Sequence, residues 1–212
     1  MAKVKICGLS TPETVAAAVD GGAAFLGFNF FPPSPRYLTP DAAARLAPPA
    51  RGKAVIVAVT VDPDNDLIDQ LVAVLKPDLI QLHGKETPAR GQEIATRSGI
   101  GLIRALPVSD SGDLDAARAW EPVVEHLMFD ARPPEGSALP GGMGARFDWT
   151  ILAGRRFARP YLLAGGLDPW NVGEAMRLSG APIMDVSSGV ERGPGIKDPL
   201  LISAFLEAVR RA

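Results

Sequence analysis

Eight short apolar segments alternate with eight helix-like segments, which predicts an α/β fold whose parallel strands close into a (β/α)8 TIM barrel. The segment at residues 54–59 is apolar at every position, as is typical of a strand buried on both faces of a parallel sheet. The length of 212 residues suits one such barrel. We therefore expect residues 1–212 to form a single domain.

The predicted elements follow one another from the first residues to the last. The strands are expected at residues 3–9 with their closing turn, 24–28, 54–59, 79–83, 102–105, 126–130, 161–164 and 183–186. The helices are expected at residues 11–20, from 39, at 63–75, 88–97, 114–119 and 148–152, from 168, and from 198 to the end.

Capping residues predict where helices begin. The first helix can be framed in two ways, with Thr11 as N-cap and Pro12 at N1, or with Ser10 as N-cap and Glu13 at N3, and the sequence does not choose. Asp168, followed by a proline, is expected to cap the seventh helix.

Composition excludes several functions. Lys plus Arg is 22 and Asp plus Glu is 24, a net charge of -2, so no bulk field favours nucleic acid or an acidic membrane. The single cysteine rules out an intrachain disulfide and suits a reducing compartment. No apolar run reaches the roughly 18 residues of a membrane span, and no signal-peptide pattern is present. We expect a cytoplasmic protein.

Polar residues between apolar strand neighbours are expected to face the barrel interior, because the outer side of each strand packs on helices. The interior set is Lys5, Cys7, Gln81, His83, Arg104, Asp130 and Asp185. The outward set is Ile6, Ile80, Leu82, Ile103, Phe129 and Val186. A lone buried charge is costly, so we expect Lys5 to pair with Asp185 on the adjacent strand 8.

Position favours a functional role for four of these side chains. Cys7, His83, Asp130 and Asp185 fall near the C-terminal ends of their strands, the face that carries the active site in barrels of this class. The alternative is a purely structural charge network. Only one other histidine, His126, is present, so the sequence predicts no metal site, and we expect no cofactor.

Two loops suggest an anion site. Gly165 and Gly166 follow strand 7, and residues 187–189 (Ser187, Ser188 and Gly189) follow strand 8, where many barrels bind phosphate. Arg36, on a proline-stiffened loop, has a planar fork that suits a carboxylate. The loop at residues 131–146 is long enough to be functional or mobile.

Taken together, these motifs resemble one family over nearly the whole chain, the phosphoribosylanthranilate isomerases of tryptophan biosynthesis. The motifs are KICGL (5–9), GF (27–28), SPR (34–36), QLHG (81–84), FD (129–130), GGMG (141–144), FDW (147–149), AGGL (164–167), DVSSGVE (185–191) and PGIKD (194–198). A match of so many motifs in the same order does not arise by chance. One residue departs from the family pattern, since Met143 stands where we expect Ser or Thr, and it is left out of the site.

The resemblance implies an Amadori rearrangement of a small phosphosugar by general acid and base catalysis. Cys7 is implied as the base, Asp130 as the acid and Arg36 as a contact to the anthranilate part. His83 and Asp185 are further substrate contacts, and the loops after strands 7 and 8 are implied to hold the phosphate. We expect a monomer or a homodimer.

Two alternatives stay open. One is another phosphosugar isomerase on the same barrel, such as the Amadori enzyme of histidine biosynthesis, which resembles a duplicated half-barrel with a carboxylate base. The other is a barrel that binds a phosphorylated ligand without turning it over.

Protonation states pose a requirement for the implied mechanism. At pH 7 a free thiol of pKa about 8.5 is mostly neutral and a free carboxyl is ionised, the reverse of what a base and an acid need. We expect burial to raise the pKa of the carboxyl and the charge of Lys5 to lower the pKa of the Cys7 thiol.

Overall fold

The computed structural model describes residues 2–132, 136–137, 141–142 and 144–212. Within these ranges eight parallel strands close a barrel in chain order, with the last strand hydrogen-bonded to the first. The strands are β1 (Lys3–Cys7), β2 (Phe25–Asn29), β3 (Val55–Thr60), β4 (Leu79–Leu82), β5 (Gly101–Val108), β6 (His126–Ala131), β7 (Tyr161–Leu163) and β8 (Ile183–Val186). The predicted TIM barrel is confirmed.

Helices connect the strands around the outside of the barrel. They are α1 (Pro12–Asp20), α2 (Pro40–Leu46), α3 (Asn65–Gln70), α4 (Pro88–Ser98), α5 (Ala117–Trp120), α6 (Val172–Ser179) and α7 (Pro199–Arg211). A π-helical turn, Leu71–Leu75, extends α3, and 3-10 turns lie at Pro48–Ala50, Asp113–Ala116, Trp149–Leu152 and Ser188–Val190. Over the residues with described positions, none of these helices is long and apolar enough to cross a membrane.

The start of α1 follows the first of the two expected framings. Thr11 is the N-cap and Pro12 begins the helix. The capping box is closed by Thr14, whose hydroxyl accepts from the Thr11 N–H at 3.3 Å, so Glu13 is not its partner. The threonine at this position replaces the Glu or Gln that the sequence signature requires.

Two predicted helices differ from the structure, one in its helix type and the other in its first residue. The connection from β6 to β7 contains the 3-10 turn Trp149–Leu152 where an α-helix was expected. Helix α6 begins at Val172, because the carboxylate of Asp168 instead accepts the N–H groups of Trp170 and Asn171, at 2.9 Å each, and closes a separate turn. An Asx turn and a helix N-cap share the same sequence signature.

A two-stranded hairpin follows β8 and was not predicted. Its strands are β9 (Glu191–Gly193) and β10 (Ile196–Lys197), paired antiparallel. The strands are only three and two residues long, too short for the alternation that identifies a strand in a sequence. This hairpin brings two charged side chains back over the barrel mouth.

The strands alternate between an outer layer against the helices and an inner cluster. Ile6, Ile80 and Phe129 lie in the outer layer, as expected. The inner cluster is formed by Cys7, Phe25, Val57, Val59, Leu79, Ile103, Ala105, Met128, Leu162, Ala164 and Ile183. Asp130 and Asp185 lie towards the C-terminal ends of their strands and line the pocket there.

The predicted orientation of β5 is wrong. Ile103 belongs to the inner cluster, and Arg104 points outward. Arg104 forms an ion pair with Glu86, donates to the carbonyl of Gly84 at 3.0 Å, and its guanidinium lies 4.6 Å from the ring centroid of Trp120. The helical shell supplies a carboxylate and an aromatic face, so a charged residue flanked by apolar ones can be satisfied there.

Candidate active site

The C-terminal mouth of the barrel opens into a pocket of about 840 Å³, part of which is open solvent. Nine of the ten predicted site residues line this pocket: Cys7, Arg36, His83, Asp130, Gly165, Gly166, Asp185, Ser187 and Ser188. Gly189 lines the adjoining cavity, which also includes Arg36, Gly166 and Ser188. The structure thus brings together side chains that are spread over most of the chain.

Lys5, Cys7 and Asp185 form one group at the barrel wall. The ammonium of the fully buried Lys5 lies 2.7 Å from the Asp185 carboxylate, and the two residues are paired in the β1–β8 register. This confirms the expected ion pair. Burial lowers the pKa of Lys5, but the charges of Asp185 and Cys7 outweigh it and raise the pKa above its ordinary value.

Gly27 on β2 leaves the space that this group occupies. A Cβ at this position would lie 3.1 Å from the sulfur of Cys7 and 3.3 Å from the Lys5 ammonium nitrogen. Both distances are shorter than a comfortable van der Waals contact. A glycine beside Cys7 therefore lets the thiol and the ammonium pack against the neighbouring backbone.

The expected activation of the Cys7 thiol by Lys5 is not what the structure shows. Burial, reinforced by the charge of Asp185, raises the pKa of Cys7 above its ordinary value. The charges of Lys5 and Lys197 act in the opposite direction but do not overcome burial. In the ligand-free barrel the thiol is therefore mainly protonated at neutral pH.

This direction predicts slow alkylation of Cys7 at pH 7. The rate of modification by iodoacetamide should rise with pH and reach its midpoint above about 8.5, the pKa of an unperturbed thiol. Because Cys7 is the only cysteine, no second thiol contributes to the signal. A midpoint at or below 8.5 would contradict the raised pKa.

Lys5→Met should destabilise the barrel by roughly 3–5 kcal/mol, because Asp185 is then left as a buried unpaired charge. Urea unfolding at pH 7 measures this loss. The double variant Lys5→Met with Asp185→Leu removes both charges and should recover most of the stability. A double variant as unstable as the single one would show that packing, rather than the ion pair, is responsible.

Asp130 lies at the end of β6 against His83, which follows β4. The Nε2 of His83 is 3.2 Å from the Asp130 carboxylate, and its Nδ1 is 3.1 Å from the side-chain amide nitrogen of Gln81. A Cβ on Gly141 would lie 2.5 Å from Asp130 Oδ2, so the loop backbone rests directly on the carboxylate. The acid group is enclosed on several sides but still lines the pocket.

Arg36 is buried and held by Glu191 of the hairpin. Its Nε and one terminal nitrogen donate to the two carboxylate oxygens of Glu191 at 2.7 and 2.8 Å. The same terminal nitrogen lies 3.3 Å from the carbonyl of Gly142. The carboxylate clamp expected of Arg36 is therefore made with Glu191, and the other terminal nitrogen, next to Gly142, remains for a ligand.

Glu191 also forms an ion pair with Lys197 of β10. Burial raises the pKa of Glu191, but the hydrogen bonds and charges of Arg36 and Lys197 outweigh it and hold the pKa below its ordinary value. The pKa of Lys197 lies below its ordinary value, because burial lowers it by more than the charge of Glu191 raises it. One carboxylate thus neutralises one of two buried cations, which leaves this wall of the mouth positive.

The loops after β7 and β8 pack closely against each other. Gly165 and Gly166 adopt φ values of +90° and +62°, and a Cβ on Gly189 would lie 1.9 Å from the carbonyl oxygen of Leu167. Arg146 donates to the Gly166 carbonyl at 3.0 Å and pairs with Asp168. The glycines permit this close approach between the backbones of the two loops.

Sequence reasoning missed the roles of Glu191 and Lys197. Both lie in motifs of the resemblance, but their signal was weak, since a polar segment after the last strand is typical of an exposed loop. Met143, which was left out of the site, lies outside the described residues. Among the residues that the structure describes, no three His, Cys, Asp or Glu side chains are grouped as metal ligands.

The chain matches known proteins over nearly its full length. The model of the family described as N-(5'phosphoribosyl)anthranilate (PRA) isomerase matches residues 4–208. An N-(5'-phosphoribosyl)anthranilate isomerase of Caulobacter vibrioides is 69% identical over 209 residues, which cover 98% of this chain and 95% of the relative.

Three solved structures of the same family match this chain over the full length of both chains. Phosphoribosyl anthranilate isomerase from Thermotoga maritima has a TM-score of 0.89 at 32% identity, and monomers generated from the dimeric enzyme of that organism have 0.84 at 30%. A structure of the isomerase in complex with reduced 1-(o-carboxyphenylamino)-1-deoxyribulose 5-phosphate has 0.86 at 31%. This chain therefore belongs to the N-(5'-phosphoribosyl)anthranilate isomerase family.

Proposed function

We propose that this chain is the isomerase that converts N-(5-phosphoribosyl)anthranilate to 1-(2-carboxyphenylamino)-1-deoxyribulose 5-phosphate. The observation that carries the proposal is the single pocket lined by Cys7, Asp130 and the glycine-rich loops after β7 and β8. A thiol and a carboxyl from different strands face one cavity that also offers an anion site. The substrate has the matching parts, a sugar with two reacting protons and a phosphate.

The two proton transfers divide between the two side chains. Asp130 donates a proton to the ring oxygen of the sugar, which opens the furanose to a Schiff base at C1. Cys7, as the thiolate, removes the C2 proton. The electron pair of the broken C–H bond forms the C1–C2 double bond of an enolamine, and the π pair of the C1–N double bond returns to the protonated Schiff-base nitrogen. Transfer of the C2 hydroxyl proton to C1 then gives the ketose.

The remaining residues hold the substrate. Gly165, Gly166, Ser187, Ser188 and Gly189 bind the phosphate through backbone N–H groups and hydroxyls, supported by the positive wall of Arg36 and Lys197. His83 and Asp185 contact the sugar, and Arg36 contacts the anthranilate carboxylate.

Arg36→Ala should raise KM by roughly 10- to 100-fold with little change in kcat, since a hydrogen bond to a charged group is worth about 1.5–3 kcal/mol. Steady-state kinetics on phosphoribosylanthranilate measures both values. Arg97→Ala is the matched control, because Arg97 forms an exposed ion pair with Asp69. A loss confined to kcat would show that Arg36 does not bind the ground-state substrate.

We further propose that the 212 residues act as one catalytic domain, as a monomer or a homodimer in the cytoplasm. The support is a barrel whose sheet closes from the first strand to the last, and a thiol that is functional in a reducing compartment. The near-neutral net charge of -2 disfavours nucleic acid as a partner.

The decisive experiment is a fluorescence assay that follows phosphoribosylanthranilate with the purified chain. The proposed function predicts turnover of this substrate and none of the aminoimidazole phosphosugar that the related enzyme of histidine biosynthesis rearranges. Turnover of the second substrate alone would favour the other isomerase, and binding of either without turnover would identify a non-catalytic barrel.

A further inference from the structure

Gln81 is a buried polar side chain to which the proton transfers above assign no task. It lies on β4 and is only 1% exposed. Its amide nitrogen faces His83 Nδ1 at 3.1 Å, and His83 Nε2 faces Asp130 at 3.2 Å. The three side chains form a row that begins in the barrel interior and ends on the proposed acid.

The strand geometry explains how this row forms. Gln81 and His83 are two residues apart at the end of β4, so they point to the same side of the sheet. The intervening strand β5 contributes the small Ala105 to the inner cluster, and the His83 ring reaches across to Asp130 on β6.

The hydrogen-bonding capacity of each group links the row to proton position. An amide nitrogen only donates, so when it faces Nδ1 that ring nitrogen must accept, and the ring proton is on Nε2. The Nε2–H then donates to Asp130 as a carboxylate. In this arrangement Asp130 has no proton to give.

The opposite amide orientation has the opposite consequence. With the Gln81 oxygen facing the ring, Nδ1 carries a proton and donates to it. Nε2 then either accepts a hydrogen bond from protonated Asp130 or is itself protonated beside the carboxylate. In both cases the His83–Asp130 pair holds one proton more, the proton that opening of the sugar ring consumes.

A second observation concerns the other end of the same amide. Among the described residues, the buried Oε1 of Gln81 has no hydrogen-bond partner. Buried amide oxygens normally have a donor, so this one calls for an explanation. Because no hydrogen bond holds Oε1, a half-turn of the Gln81 amide group breaks only the contact between its nitrogen and His83. The exchanged oxygen and nitrogen occupy nearly the same volume, so the surrounding packing is unchanged.

The other charged groups at the mouth do not compete for the His83 ring. Lys5 of β1 and Asp185 of β8 are paired with each other, and Arg36 and Lys197 are paired with Glu191. Cys7 of β1 lines the same pocket. Among described side chains, the ring nitrogens of His83 are bonded to Gln81 and Asp130.

We propose that Gln81 is a positioning residue for the isomerase reaction, whose side-chain amide determines which nitrogen of His83 carries the ring proton and so whether Asp130 is loaded with its catalytic proton. The role rests on the proposed function in one respect, that Asp130 is the acid. Gln81 also lines the pocket, but the role proposed for it acts through His83.

The test compares the wild type with Gln81→Met. Methionine keeps the size of the side chain but offers Nδ1 of His83 neither the N–H donor nor the oxygen acceptor of the amide. The ¹⁵N chemical shifts of the His83 ring report the protonated nitrogen directly, and the only other histidine, His126, is an internal reference. We expect the His83 shifts to change, kcat to fall by roughly 10- to 100-fold, and KM to stay within about twofold.

Gln81→Glu is the conservative variant. It keeps an acceptor towards Nδ1, so both ring nitrogens should be protonated and kcat should exceed that of Gln81→Met. Met128→Leu, a similar-sized change in the inner cluster two residues before Asp130, is the matched control and should leave the His83 shifts and kcat unchanged.

The outcomes separate the two claims. If Gln81→Met lowers the unfolding temperature but leaves the His83 shifts and kcat at wild-type values, Gln81 is structural and the positioning role is wrong. If the wild-type chain fails to turn over phosphoribosylanthranilate, the proposed function is wrong, and the ¹⁵N shifts still decide whether Gln81 sets the tautomer of His83.

Discussion

Cys7→Ser should lower kcat by roughly 10²- to 10⁴-fold, the contribution of one well-positioned general base. Serine has nearly the shape of cysteine, so the pocket and the Lys5–Asp185 pair beside it should be preserved. The hydroxyl ionises far less readily than the thiol and cannot accept the C2 proton. We expect KM to change by no more than about threefold, because the loss concerns the transition state.

The pH dependence of the same variant provides a second measurement. The raised pKa of Cys7 means that the thiolate is scarce at neutral pH, so wild-type kcat/KM should increase with pH through the range from 7 to about 9. Cys7→Ser should lose this increase. A Cys7→Ser enzyme with wild-type kcat, or one that keeps the same rise with pH, would remove Cys7 from the role of base.

Much of the fold could be predicted because each strand carries its own signal. Fully apolar runs such as residues 54–59 identify strands that are buried on both faces, and their number identifies the barrel. The orientation of β5 could not be predicted in this way. Arg104 is satisfied by Glu86 and Trp120, which lie elsewhere in the chain. Only the packed helical shell brings these two partners to the outer side of the strand.

The site could be predicted to the extent that it depends on strand ends. Cys7, His83, Asp130 and Asp185 face one pocket because a closed parallel barrel puts the C-terminal ends of all its strands at one mouth. The hold of Glu191 on Arg36 could not be predicted, since it depends on a hairpin of very short strands.

The direction of the Cys7 pKa was mispredicted for a related reason. The sequence identifies Lys5 as a neighbour on the same face of β1, but not how completely the barrel and the residues over its mouth bury the thiol. Burial opposes the charge of Lys5 and is the larger effect here. The balance between a nearby cation and desolvation is a property of three-dimensional packing.

Asp130→Asn should also lower kcat by roughly 10²- to 10⁴-fold, with KM changed by no more than about threefold. Asparagine keeps the size of the side chain and can still bond to His83 Nε2, which lies 3.2 Å from the carboxylate in the wild type. It has no acidic proton to give to the ring oxygen, so the furanose opens more slowly and the later proton transfer to Cys7 is delayed.

The control for Asp130→Asn is Asp69→Asn, which removes the same charge from an exposed ion pair with Arg97 and should leave both constants unchanged. Because the proposed mechanism assigns Asp130 and Cys7 to successive steps of one reaction, the double variant Cys7→Ser with Asp130→Asn should be little slower than the slower single variant. An Asp130→Asn enzyme with wild-type kcat, or one altered in KM alone, would mean that another group donates the proton and that Asp130 only binds the sugar.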